Sequence, residues 1–234
     1  MILLTGFEPF GGETINPSWM AAEEASSILR TEGHAVAAVE LPCVFGASIT
    51  ALEAALQRHR PELEVCVGQA GGRARISLER VAINCDDARI PDNAGNRPVD
   101  EDVIPGGPAA YFSSLPVKAA LEALRAAGIP AEVSQSAGTY VCNHIFYALM
   151  HALSNGRVNS STANTGSLIG ESLRGASPAT RGGFVHVPYE TRQVPRGSGT
   201  PSLPAAVMAE ALAVVVRTTL TTTADIKLAA GSVH

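Results

Sequence analysis

The sequence predicts an α/β domain with a mostly parallel, mixed central sheet covered by helices on both faces. Three observations carry that expectation. Strand-like and helix-like segments alternate along the 234 residues, the pattern of strands joined by crossover helices. Two strand candidates, Ile2-Leu3-Leu4-Thr5 and Leu63-Glu64-Val65-Cys66-Val67-Gly68, are apolar nearly throughout, as suits strands buried on both sides. Glycine-rich stretches fall where strands end, at Gly6–Gly12, at Gly68–Gly72 and in the turn before Cys142. In open α/β sheets that edge is where ligands sit.

The elements follow in order. Ile2–Thr5 is a strand. Pro17–Arg30 is a helix, capped at or near Asn16, with Pro17 in its first turn. Ala35–Val44 is a β-rich run. Ala47–Arg58 places Ile49, Leu52, Ala55 and Leu56 on one helical face. Leu63–Gly68 is a short strand. Ile76–Asp100 reads as extended and turn-rich, a β-excursion turning at Pro91–Gly95. Val117–Ala127 is a helix closed by Gly128, and Ala131–Ser136 a strand. Ile145, Leu149 and Ala152 then mark one face of a helix that begins close to Cys142. Phe184–Val187 is a strand, and Leu203–Leu220 a long helix opened by Pro204. Residues 1–234 are expected to form a single domain, because no linker divides the chain into comparable halves. Ser154–Gly183 is rich in Ser, Asn, Thr and Gly with little periodicity, and is expected to be a flexible loop insertion.

Composition excludes several classes of function. Seventeen Lys and Arg against 22 Asp and Glu leave a formal charge of −5 with no basic run, which argues against nucleic acid or an anionic membrane as partner. Four scattered cysteines, Cys43, Cys66, Cys85 and Cys142, form neither a disulfide framework nor a CxxC metal pair. The N-terminal run lacks the basic start and long apolar core of a signal peptide. The apolar stretch Ala205–Val216 contains Glu210 and is shorter than the roughly 20 residues a membrane span requires. A reducing, cytoplasmic setting is expected.

Cys142 is the candidate nucleophile. At a helix N-terminus, unpaired N–H groups and the macrodipole favour a thiolate, and the same N–H groups suit an oxyanion. His186, in Gly183-Phe184-Val185-His186-Val187-Pro188-Tyr189, interrupts a β-rich run and is a candidate base, with a buried structural histidine as the alternative. Glu79 could orient that imidazole, or pair with Arg73, Arg75 or Arg80. Arg89 and Ile90 border the expected cleft, although Arg89 could instead bridge to Asp86 or Asp87. Phe7 and Phe10 could wall a small flat ligand or pack beneath their loop, and Gln69 offers one ligand both a donor and an acceptor. No P-loop pattern, GxGxxG or GxSxG is present, which disfavours a nucleoside phosphorylase or a serine hydrolase on a related α/β scaffold.

Six segments then stand in one order: Thr5–Gly12 with Asn16–Ser18, Val67–Arg73, Glu79–Asn84, Ala88–Asn93, Ser136–Asn143 and Gly183–Tyr189. Together they resemble the pyroglutamyl peptidase I (pyrrolidone-carboxylate peptidase) family. The resemblance implies a cysteine peptidase that removes an N-terminal pyroglutamyl residue through a thioester. It implies a three-layer α/β/α sandwich assembled as a homodimer or homotetramer, with no metal or cofactor. It puts the nucleophile on Cys142, the base on His186 and the acidic partner on Glu79. The pocket would fall on Phe7, Phe10, Gln69, Ile90 and Val141, with Arg89 near the oxyanion. Only the Ser154–Gly183 segment departs from the family pattern, being longer than expected.

Overall fold

The computed structural model describes residues 1–156 and 180–231. In chain order the elements are β1 (Ile2–Phe7), α1 (Pro17–Thr31), β2 (Val36–Leu41), α2 (Ala47–His59), β3 (Leu63–Gln69), β4 (Ile76–Glu79), β5 (Val81–Ile83) and β6 (Ala110–Phe112). They continue with α3 (Val117–Ala126), β7 (Ala131–Ser134), α4 (Val141–Ser154), β8 (Arg181–Val187), β9 (Tyr189–Glu190), β10 (Ser202–Leu203) and α5 (Ala205–Thr221). Six strands form the central sheet in the order β2-β1-β3-β8-β4-β7. β4 runs antiparallel to β8 and parallel to β7; the other pairings are parallel. The sheet is therefore mixed and mostly parallel, as the alternation of elements implied.

Strand alternation divides the core. Ile2, Leu4, Val65, Val67, Val185 and Val187 point to one face and pack with buried residues of α1, α3 and α5. Leu3, Phe7, Cys66 and Phe184 point to the other and pack with α2 and α4. The period-2 geometry of strands fixes this assignment, so a polar residue in register with Phe184 must face α4. Three layers result.

Two expected boundaries shift for local reasons. β2 ends at Leu41 because Pro42 has no N–H for the ladder. The β-excursion divides: Ile76–Glu79 becomes an interior strand of the main sheet, while β5 pairs only with β6. β6 has three residues, too few for periodicity to mark. Of the expected loop at Ser154–Gly183, residues 157–179 lie outside the described residues; its ends belong to α4, which includes Ser154, and to β8, which begins at Arg181.

The first turn shows why its residues are needed. A Cβ on Gly6 would come within 2.5 Å of the Trp19 backbone, so only glycine lets α1 start this close to β1. Asn16 Oδ1 accepts from the Ser18 N–H and hydroxyl, and Ser18 Oγ accepts from the Phe7 N–H at 3.0 Å. Asn16 Nδ2 donates to the Glu8 carbonyl at 2.9 Å. This capping network holds the Phe7–Phe10 turn at the carboxyl end of β1.

Glu64 is a carboxyl buried in β3, and burial pushes its pKa from 4.5 up to about 8, against the opposing hydrogen bond from Thr5. The folded protein therefore holds a proton that the unfolded chain releases between those values, and folding stability falls as pH rises across that window. Glu64→Gln is expected to flatten this slope. Chemical denaturation of both proteins at pH 5 and pH 8 checks it; identical slopes would exclude the assignment.

Candidate active site

Four neighbouring elements deliver the polar groups to one face of the sheet, at one end. In β8, Phe184 and His186 share the face that looks at α4, and their rings lie 4.8 Å apart. In β4, Glu79 stands opposite Phe184 and Ser77 opposite His186. In β3, Gly68 stands opposite His186. α4 brings Cys142 over that glycine: a Cβ at position 68 would lie 2.7 Å from Sγ and 2.7 Å from Phe184 Cζ. The thiol thus sits where a side chain of β3 would otherwise stand, beside the strand that carries the imidazole.

His186 Nδ1 and Glu79 Oε1 are 2.7 Å apart, and both side chains are buried. Glu79 carries no proton to give, so Nδ1 donates and Nε2 is left to act as base. The same Oε1 accepts from Arg73 at 2.7 Å, so the pairing with arginine and the pairing with histidine coexist. Arg73 also donates to the Ser136 carbonyl, which ties the acid to the turn leading into α4. Asn143 Oδ1 accepts from the Ile83 N–H, and its Nδ2 donates to the carbonyls of Ile83 and Cys85. Those bonds pin the first turn of α4 to β5.

The electrostatics describe a neutral pair. Burial drives the Cys142 thiol above its ordinary value, Cys43 and Glu79 add to the effect, and Arg73 opposes it. Burial also holds His186 below its ordinary value, against the hydrogen bond and charge of Glu79. Burial would raise Glu79 as well, but His186, Ser134 and Arg73 outweigh it and keep its carboxyl low. The helix N-terminus was expected to favour a thiolate; burial is the largest influence on the thiol and acts against that form. Among the described residues the thiol makes no hydrogen bond. The resting site is thiol, imidazole and carboxylate.

Next to Sγ is a small cavity, partly open to solvent, walled by Phe7, Phe10, Asn16, Cys43, Gln69, Tyr140, Val141 and Cys142. It combines aromatic faces with two amide side chains.

A family model described as "Pyroglutamyl peptidase" matches residues 1–163. The chain belongs to the pyroglutamyl peptidase family. It is 48% identical to a pyrrolidone-carboxylate peptidase of Streptomyces coelicolor over 238 aligned residues, covering all of this chain and 99% of that one. A pyrrolidone-carboxylate peptidase of Escherichia fergusonii is also 48% identical, over 233 residues, with the same coverage. The crystal structure of pyroglutamyl peptidase I from Bacillus amyloliquefaciens superposes with a TM-score of 0.81 at 43% identity, covering 97% of this chain and 98% of that one. A mutant pyrrolidone carboxyl peptidase from Pyrococcus furiosus gives 0.78 at 37%, covering 95% and 99%. The family match ends before β8; the relatives in Streptomyces and Escherichia align across the whole of this chain, His186 included.

Within this pyroglutamyl peptidase fold, the residues expected from sequence separate into two groups. Cys142, His186 and Glu79 share one face, and Phe7, Phe10, Gln69 and Val141 line the cavity beside them. Arg89 and Ile90 do not line it. Both are exposed, Ile90 at 44%, on a loop tied to the α4 entry by the Asp87 N–H to the Thr139 carbonyl and the Tyr140 hydroxyl to the Pro91 carbonyl. Arg89 makes no ion pair among the described residues; Asp86 pairs instead with His144 at 2.7 Å. Asn16, Cys43, Tyr140 and Arg73 were not singled out as site residues. Asn16 read as a cap, Cys43 as one of four scattered cysteines and Arg73 as one of three arginines that could pair with Glu79, the pairing found here at 2.7 Å; no periodicity marks a residue that closes a cavity from a turn.

No helix among the described residues is long and apolar enough to cross a membrane. Among those residues no cluster of His, Cys, Asp and Glu is arranged to hold a metal ion.

Gly68→Ala tests the geometry. The added methyl would press on Sγ and on Phe184, whose ring is fully buried and packed against Phe146. Overpacking of this kind costs about 1–3 kcal/mol of stability. A displaced sulfur is expected to cost about 10²-fold in kcat. Turnover and thermal unfolding measured together check both; wild-type turnover would show that the sulfur does not need this position.

Proposed function

We propose that this chain hydrolyses the bond after an N-terminal pyroglutamyl residue, with Cys142 as nucleophile, His186 as acid and base, and Glu79 as the group that orients the imidazole. The observation that carries it is the 2.7 Å Glu79–His186 pair on the sheet face that also receives the Cys142 sulfur, beside an aromatic cavity. Membership of the pyroglutamyl peptidase family supports the same substrate class.

Pyroglutamate is a neutral, planar lactam without an α-ammonium group. Phe7 and Phe10 suit its faces, and amides such as Gln69 suit its polar edge. As sulfur attacks the pyroglutamyl carbonyl carbon, its proton passes to His186 Nε2. Because the resting pair is neutral, proton transfer accompanies bond formation. The oxyanion is held by first-turn N–H groups of α4, whose N-cap Tyr140 contributes no side-chain cap. His186 returns the proton to the leaving amine as the C–N bond breaks. Water then adds to the thioester with His186 as base, releasing pyroglutamate and the free thiol. Arg89 and Ile90 stand exposed on the loop tied to the start of α4 and take no part in these steps.

Release of a chromophore from a pyroglutamyl amide, beside the matching prolyl amide, tests this assignment. Cleavage of the first and not the second is expected, insensitive to chelator and abolished by a thiol alkylator. Cys43 shares the cavity, so the alkylated residue must be mapped; protection of Cys142 by substrate is the expected outcome. No release of the chromophore would exclude the activity.

The chain is read further as one domain over 1–234, working in the cytoplasm as a homodimer or homotetramer. All four cysteines are free thiols, in keeping with a reducing compartment. Phe112 at 71% and Val99 at 64% exposure are apolar surface that a second copy would cover. A monomeric mass in sedimentation at micromolar concentration would refute the assembly.

A further inference from the structure

We infer that Gln193 is a positioning residue that fixes the amide of Gln69 so that it presents an N–H donor, and not a carbonyl, to the ligand cavity. The inference rests on the proposed lactam pocket and adds to it the residue that sets its polarity.

Gln193 closes a 3-10 turn, Thr191–Gln193, directly after β9. Its Oε1 accepts from the backbone N–H of Glu190 at 2.9 Å. A backbone N–H has no alternative role, so this bond settles which end of the Gln193 amide is oxygen. The Nε2 end then turns toward two acceptors, the Ile15 carbonyl at 3.4 Å and Gln69 Oε1 at 3.2 Å. The Ile15 carbonyl is equally unable to reverse its role. Gln69 must therefore offer its oxygen to Gln193, and its own Nε2 remains. Among the described residues that Nε2 has no partner, and Gln69 lines the cavity. That donor faces water while the cavity is open; a ligand that shuts water out without bringing an acceptor leaves it unpaired, which costs binding.

The turn itself is held. Glu190 accepts from the Arg192 N–H at 2.6 Å, β9 pairs with β10, and the Tyr189 ring lies where a Cβ on Gly71 would stand, 2.3 Å away. Gln193 thus links the segment carrying Asn16 to the strand end carrying Gln69, with both amide ends fixed by main-chain atoms. The ligand edge that meets Gln69 is consequently an acceptor, as a lactam carbonyl is. A prolyl ring has none and leaves the donor unsatisfied.

The decisive variant is Gln193→Glu, similar in size. It can still accept from the Glu190 N–H but gives Gln69 no donor. Gln69 is then expected to turn its Nε2 toward the new carboxylate and its oxygen toward the cavity. KM for a pyroglutamyl amide is expected to rise about ten-fold, with kcat changed less than three-fold. In a Gln69→Leu background the same substitution should add nothing, because its effect passes through Gln69. An equal rise in KM in both backgrounds, or an unchanged KM in the single variant, would overturn the inference while wild-type turnover still upheld the peptidase. Absence of wild-type turnover would instead overturn the peptidase reading. Should Gln193→Glu not fold, the wild-type protein carries the test. Saturating 2-pyrrolidone is expected to shift the Gln69 side-chain NH₂ resonances, and cyclopentane is not; no shift with the lactam overturns the donor assignment.

Discussion

Cys142→Ser is expected to lower kcat/KM on a pyroglutamyl amide by at least about 10⁴-fold. The hydroxyl is a much weaker acid than the thiol, and the base that must take its proton is weakened too, since burial holds His186 below its ordinary value. Nothing in the site compensates. Sγ makes no hydrogen bond among the described residues, and Arg73 is the one charge that favours an anion there. For the same reason the fold should tolerate the change: no bond is lost, and the smaller oxygen fits above Gly68, where sulfur is tightly seated. Circular dichroism and a thermal melt close to wild type, with residual turnover at the limit of detection, are the expected pair of results. Activity within ten-fold of wild type would mean that another group attacks the carbonyl.

Glu79→Gln is expected to cost about 10³–10⁴-fold in kcat with little change in KM. The carboxylate accepts from both His186 Nδ1 and Arg73 on one oxygen. A glutamine offers that pair one carbonyl and one NH₂. If the carbonyl goes to Arg73, the NH₂ faces Nδ1, which then becomes an acceptor, and the proton moves to Nε2. An Nε2 that already carries a proton cannot take one from the thiol. The removed negative charge also stops stabilising the imidazolium formed during attack. The cavity proposed to take the substrate is lined elsewhere, by Phe7, Phe10 and Gln69, so KM should hold. A kcat within three-fold of wild type would reduce Glu79 to a structural partner of Arg73.

Both effects depend on groups distant in sequence: Glu79 and His186 are 107 residues apart, and Cys142 and His186 are 44 apart. The strands and helices themselves were legible because their signals are local. Apolar runs, Pro17 after Asn16 and the glycine at 128 each act within a turn or two. β4 was partly hidden: four residues inside a turn-rich stretch show no period, and its place between β8 and β7 is decided by pairing partners. Cys142 and His186 stood out because each is a reactive group in an otherwise apolar element. Arg73 stood out only as one of three arginines that could pair with Glu79, since which of them reaches the buried carboxylate is decided by the fold. The thiolate expected from the helix N-terminus was the plainest departure. A helix dipole can be read from sequence, whereas desolvation depends on what packs around the sulfur.

Taken alone, the order of residues determined the α/β alternation, the glycine turns at strand ends, and the chemistry on offer: one sulfur, one imidazole and one carboxylate in separate motifs. The tertiary structure alone decided that these share a face, that burial raises the proton affinity of the sulfur, that Arg89 and Ile90 stand outside the cavity, and that Gln193 reaches the amide of Gln69. The physical reason is range. Backbone preferences are set by neighbours along the chain, while proton affinity and hydrogen-bond direction are set by neighbours in space.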